Sequence, residues 1–341
     1  MKRLALAALG GLCLAGGPAE GQPAGEAGSA PLQLCLAEAA DYSPVYPTRT
    51  FPAGSTEEVA AVVRLPQGAS PQGLVATWSV VDVGAAAPPN QVINKTTIPV
   101  AGRDRAAIHL RSRGGALPPG KYRLDVTADG KPWRSVEFTV VAMPAAEVRR
   151  PADLLPLQPG TTWTYRFEQQ FAPGVRPQLP PGLRLDPDGR LRATIRKRAV
   201  GQDEMGVHIE SRRNDMVVEE EWWKVTDAGL VVTRLKSGGE DQTFDPPGPI
   251  WPWPLKTPRR WSHELGPSLK QTFRMWGPVP VKAPAGQVPG FVVLMQQPSQ
   301  PIALSVERHY APGIGMVREV VVQARNGVML TRWESVLTAG P

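Results

Sequence analysis

Apolar residues in this chain recur at every second position rather than every third or fourth. In RLRATIRKRAV, Leu191, Ala193 and Ile195 fall on one parity, and Arg190, Arg192, Arg196 and Arg198 on the other. In AAIHLRS, Ile108 and Leu110 alternate with His109 and Arg111. Tyr122, Leu124 and Val126 share one face of a segment, and Val136, Phe138 and Val140 one face of the next. Side chains of a strand point alternately to opposite faces, so a period of two predicts half-buried strands. No helical period and no internal repeat stands out.

The predicted fold class is all-β in two units. Residues 32–143 contain short strands such as EEVAAVVRL and LVATWSVVDV, separated by turn signals. Asp129-Gly130 is a two-residue hairpin signal. About seven strands in such a span predict an immunoglobulin-like β-sandwich. The Cys…Trp…Cys pattern of antibody domains is absent, so the term is architectural. PGKYRLDV, a hairpin and EFTV resemble the closing segment of sandwich modules common in bacterial secreted proteins, which implies no activity. Residues 144–156 read as a linker with prolines and charges. Residues 157–338 hold ten strand candidates, from TTWTYRFEQQ to VMLTRWESVL, with Asn326-Gly327 joining the last two. Short connections favour an antiparallel meander, curled into a curved sheet or half-barrel. FDPPGPIWPWPL lies between candidates and reads as a long Pro-rich connection.

Composition agrees with strands. The 38 prolines and 34 glycines break helices and mark turns. Apolar content of 42% and charged content of 20% suit folded material. The first 22 residues read as an export signal: Lys2 and Arg3, an apolar run from Leu4 to Ala15, then small residues. That run is too short for a membrane anchor, and no other run approaches spanning length. Residues 23–31 read as a flexible lead-in. Leu12 stands where a lipobox needs a small residue, which argues against lipidation of Cys13. Cys35 then has no partner for an intramolecular disulfide and reads as a small buried hydrophobe.

The formal charge is +7, and losing two cations and one carboxylate with the leader leaves +6. An exported cation of this size suggests lipid, glycan or another envelope protein as partner, and argues against nucleic acid. The expected location is periplasmic, cell-surface or secreted.

Candidate chemistry is sparse. In ERHYAPGIGMVRE, His309 and Tyr310 stand beside a Gly/Pro turn, with Glu307 on the face of His309. The segment reads as a sheet corner rather than a catalytic loop. Trp251, Trp253 and Trp261 are candidate ligand-binding residues, since aromatic faces stack on sugars or line apolar mouths; the alternative is a plug at one barrel end. Arg190, Arg192, Arg196 and Arg198 form a candidate anion-binding stripe. The alternative pairs that stripe across strands with Glu219 and Glu221. No GxSxG or P-loop is present. LDPDGR lacks the ligands of a calcium loop and reads as a turn. The four histidines, His109, His208, His263 and His309, are isolated in sequence. No catalytic residue, metal site or cofactor is expected.

PLQPGTTWTY, FDPPGPIWPWPL, PVKAPAGQVPGFVV and HYAPGIGMVRE together resemble a class of bacterial secreted or lipid-anchored envelope proteins. The resemblance spans residues about 155–338. It implies a curved antiparallel half-barrel, similar to periplasmic lipoprotein carriers, whose concave face could hold a hydrophobic or extended ligand. The class brings no catalytic residues with it. The expectation is an exported, non-enzymatic binding or interaction protein. Two alternatives stand beside it: a carbohydrate-binding or carbohydrate-active protein, and a structural module of a secreted assembly.

Overall fold

The computed structural model describes residues 32–341, apart from 54–55, 66–72, 101–103, 113–114, 144–147, 149, 178, 180–182, 256, 258, 265–269 and 299–300. The expected export signal, Cys13 and the lead-in lie outside the described residues, as does part of the expected linker. The chain divides into two compact units near residue 144. It is all-β, as the alternation requires.

The first unit begins with β1 (Leu32–Glu38), β2 (Pro44–Pro47), β3 (Thr50–Pro52), β4 (Glu58–Arg64) and β5 (Gly73–Asp82). It continues with β6 (Val92–Pro99), β7 (Arg105–Arg111), β8 (Gly120–Ala128) and β9 (Lys131–Val141). These form two sheets, in the orders β2-β1-β4-β7 and β3-β9-β8-β5-β6. Nine strands among the described residues exceed the expected seven. The two shortest, β2 and β3, include prolines and have too few residues to show a period. The core is aromatic: Phe138 packs edge-on to Phe51 and Trp78 and is stacked on Tyr122 at 5.1 Å. Asp129 and Gly130 both take positive φ, as a two-residue hairpin demands. Cys35 is fully buried with Ala60 and Val62.

The second unit carries β10 (Thr162–Phe171), β11 (Leu191–Asp203), β12 (Gly206–Arg213), β13 (Met216–Thr226), β14 (Gly229–Ser237) and β15 (Glu240–Pro252). A second run follows: β16 (Arg259–Glu264), β17 (Lys270–Ala283), β18 (Gly286–Gln297), β19 (Ala303–Ala311), β20 (Gly315–Arg325) and β21 (Val328–Ala339). All twelve join one antiparallel sheet that curls nearly into a barrel. It is two six-stranded meanders joined through the first and last strands, β10 and β21. The consecutive strands β15 and β16 are therefore its two edges.

That topology corrects one expectation. FDPPGPIWPWPL is mostly strand: β15 runs to Pro252, through Pro246, Pro247 and Pro249. Proline cannot donate to a ladder, so within sheets it keeps to edge strands, strand starts and bulges, and β15 is an edge whose register shifts over this stretch. The same prolines protect the open edge from pairing with another chain.

The corner after β19 is tight. Gly315 has φ +97°, and a Cβ there would lie 2.4 Å from Leu155 Cδ1 and 3.3 Å from Trp163 Nε1. Trp163 Nε1 donates to the Ile314 carbonyl at 2.7 Å, and Tyr165 Oη to the Met316 carbonyl at 2.9 Å. The segment read as a corner is one, pinned from β10.

Candidate functional site

The parity that buries Leu191 and Ile195 on β11 also buries Lys197. Register places Lys197 beside Ser211 on β12, and Ser211 beside Glu219 on β13. The serine is small, so the lysine reaches across it. Lys197 Nζ lies 3.3 Å from Glu221 Oε2 and 4.0 Å from Glu219 Oε1. In the other meander, Arg308 on β19 is in register with Glu319 on β20. A register shift between His309 and Tyr310 re-aims the following residues. Arg308, Tyr310, Met316 and Glu319 consequently line the same cavity as Lys197, Glu219 and Glu221.

The cavity measures about 80 Å³ and communicates with solvent. Its remaining wall is largely apolar, including Trp223, Val232, Phe244, Phe273, Met295 and Val306. Ile250 of β15 and His263 of β16 also line it, so it reaches the seam between the two edges. Arg308 keeps 32% of its side chain accessible while Glu319 keeps 3%.

Two carboxylate oxygens here have no hydrogen-bond partner within the protein, Glu219 Oε2 and Glu319 Oε1. Glu219 and Glu319 are 4% and 3% exposed. A buried polar atom left unsatisfied costs about 1–3 kcal/mol, and more when charged. These oxygens are two of fifteen such atoms among the described residues, and the indole N–H of Trp223, another residue of this cavity, is a third here.

Burial pushes the Glu219 carboxyl up, the charge of Glu221 adds to this, and Lys197 only partly opposes it; the result is about 8. Glu219 is therefore largely protonated at neutral pH. Lys197 is pulled down by burial, but Glu221 and Glu219 outweigh that and hold it above its usual value. Its firm partner is Glu221, the nearer of the two. Tyr310 is pushed up to about 12, chiefly by burial, and stays a phenol. Burial lowers His263, which is neutral at pH 7.

The three tryptophans singled out in the sequence stand around the seam. Trp251, on β15, is buried and packs edge-on to Tyr310 with centroids 4.5 Å apart. Trp261, on β16, stacks on Phe273 at 5.0 Å. Trp253 follows β15, its backbone N–H donating to the Ala228 carbonyl at 2.7 Å. Trp251 and Trp261 touch cavity-lining residues, but none of the three lines the cavity itself.

The arginines lie on the opposite side of β11. Arg192, Arg196 and Arg198 are exposed, and Arg190 immediately precedes the strand. Arg190 and Arg192 both engage Glu168, and Arg192 also meets Asp186 at 2.7 Å and Asp188 at 2.6 Å. Arg196 lies 3.9 Å from Asp215. The expected partners Glu219 and Glu221 lie on the other face, because their parity on β13 points them into the lumen. LDPDGR is a turn that supplies two of the arginines' carboxylates.

Three histidines meet a carboxylate. His109 Nδ1 is 2.9 Å from Glu58, His208 Nε2 is 3.0 Å from Glu220, and His309 Nε2 is 2.6 Å from Glu307. Glu307 also receives Arg318 at 3.2 Å. Burial raises the Glu307 carboxyl, and His309 and Arg318 overcome that to leave it below its usual range. Among the described residues no cluster could hold a metal ion.

Sequence reasoning missed Lys197, Arg308 and Glu319. For Lys197 the signal was present, since it shares the parity of Leu191, Ala193 and Ile195.

No family model matches the chain, and no curated protein matches it. A solved structure from Bacteroides fragilis, described as a "putative exported protein with YmcC-like fold", is 14% identical and covers 54% of this chain and 96% of its own. The TM-score is 0.23, a superposition too loose to carry an argument about fold or function.

Proposed function

We propose that this protein is an exported, non-enzymatic binding protein that holds a small amphiphilic molecule in the lumen of its twelve-stranded sheet. One observation carries the reading: two buried, unpartnered carboxylate oxygens share a solvent-reaching cavity with an apolar wall. A ligand's polar head would satisfy the oxygens, and its apolar body would lie against Val232, Phe244 and Phe273. Ligand pockets typically combine an apolar lining with a few convergent polar groups. They usually measure about 300–1,000 Å³, so a cavity of about 80 Å³ takes a head group rather than a whole lipid. The body would leave through the seam between β15 and β16, where no ladder closes the sheet. Export rests on the leader-like run from Lys2 to Ala15.

Native mass spectrometry of the protein, gently purified from its own envelope fraction, tests this. An amphiphile that co-purifies, and is lost from the cavity-filling variant Val306→Phe, is the expected result. A bare chain that also binds no added amphiphile would leave the structural-module reading in its place. A co-purifying glycan would shift the conclusion to carbohydrate binding.

A further inference from the structure

We propose that the head group of the bound amphiphile is a cation, an alkylammonium or similar amine, seated between Glu219 Oε2 and Glu319 Oε1. This rests on the reading of the lumen as an amphiphile site and adds the ligand's chemical class.

The ionisable groups lining the cavity at neutral pH are Lys197, Arg308, Glu219, Glu221 and Glu319. Acids outnumber bases by one. The bases are already committed: Lys197 to Glu221 at 3.3 Å, and Arg308, through Nε, to Glu319 Oε2 at 2.6 Å. The two unpartnered carboxyl oxygens belong to residues on opposite meanders that line the same cavity, as does Trp223, whose indole N–H is also unpartnered. An ammonium supplies up to three donors and one positive charge. It would satisfy both oxygens and cancel the surplus acid. An anionic head would meet three carboxyl groups and would leave both oxygens unsatisfied.

Charged groups from four other strands and from its own act on Glu219. Lys197 comes from β11, Arg213 from β12, Glu221 from its own β13, Arg308 from β19 and Glu319 from β20. Arg213 does not line the cavity; its guanidinium carbon lies 4.6 Å over the Phe167 ring. Without a ligand the surplus acid is neutralised by a proton, which Glu219 holds up to about pH 8. A bound ammonium replaces that proton, and the proton leaves to solvent. Binding is then an exchange of one cation for another.

The test is calorimetry on the full chain with octylammonium, octanoate and octanol, whose apolar bodies match. Octylammonium is expected to bind at least about tenfold tighter than octanol, with octanoate weakest. Repeating the titration in buffers of different ionisation enthalpy reads the released protons. About one proton per octylammonium is expected near pH 7 and close to none near pH 9.5, where Glu219 is already ionised. Glu219→Gln should release none at either pH; the wild-type pH profile carries the test alone if that variant fails to fold. Tighter binding of octanoate or equal binding of octanol would overturn the cationic head and leave the amphiphile reading standing, and octylammonium binding without proton release would overturn the exchange with the Glu219 proton. Failure of all three to bind would overturn both.

Discussion

Arg308 Nε donates to Glu319 Oε2 at 2.6 Å, across β19 and β20 and inside the curled sheet. Glu319 has almost no accessible surface, whereas Arg308, which lines the cavity, keeps a third of its side chain accessible. The pair is therefore asymmetric: the arginine can find water, and the carboxylate cannot. Removing the arginine strands a buried charge, and Arg308→Ala should destabilise the protein by about 3 kcal/mol. Replacing both residues by apolar ones, Arg308→Met with Glu319→Leu, should recover most of that. Urea unfolding followed by tryptophan fluorescence measures both. A loss under about 1 kcal/mol in the single variant would mean that Glu319 reaches solvent by another route.

Gly315 and Gly313 make a matched pair of substitutions at one corner. Both have positive φ, at +97° and +73°. Only at Gly315 would a Cβ meet anything within 4 Å, namely Leu155, Trp163 and nothing softer than their side chains. Gly313→Ala should cost about 1 kcal/mol from backbone conformation alone. Gly315→Ala should cost about 1–3 kcal/mol more, since Leu155 must also move. Equal midpoints for the two variants would show that the 154–155 segment is not packed on the corner in solution.

Much of the fold could be read from parity, and of the site only Lys197. Alternation along β11 separates its two faces cleanly, because each face keeps one character for many residues. The lumen breaks that rule. Its walls are apolar, yet Lys197, Glu219, Arg308 and Glu319 point inward, and a charge inside reads as a charge outside. The Glu219–Glu221 run shows the difficulty: three consecutive glutamates look like solvated surface, but two of them share the inward parity. Pairing partners added a second obstacle. Glu319 meets Arg308 only through a ladder whose register shifts at His309, and a bulge has no sequence mark here. Proline hid β15, since a residue that disfavours central strands is permitted at an edge.

In the first unit, Tyr122 Oη donates to the Pro118 carbonyl at 2.7 Å while its ring stacks on Phe138. This is the corner tyrosine of immunoglobulin-like sandwiches, tying the start of β8 to the turn four residues upstream. Tyr122→Phe keeps the stack and loses the hydrogen bond, so it should cost about 1 kcal/mol. Tyr122→Ala loses the ring as well and should cost about 3–5 kcal/mol. Denaturant midpoints of the two variants separate the terms; a neutral Tyr122→Phe would show that the hydroxyl is satisfied by water instead.

Glu219 makes stability depend on pH in a direction opposite to that of a paired carboxylate. Its folded value, about 8, lies above the ordinary 4.5. Between these values the unfolded chain has released the proton and the folded chain has kept it. The folded state thus binds more protons, and stability falls as pH rises through that window. Below 4.5 both states are protonated, and above 8 both are ionised, so the loss is then complete. Glu307, held below its usual range, acts on the other side: its contribution is present above about 4.5 and lost as pH falls further. Glu219→Gln removes the first effect and leaves the second. The variant's stability relative to wild type should therefore grow from pH 5 to pH 8 and then level off, as measured by urea midpoints across the range. A difference that stays flat through the window would mean that Glu219 is already ionised in the folded protein, and that the cavity holds a surplus negative charge without any ligand.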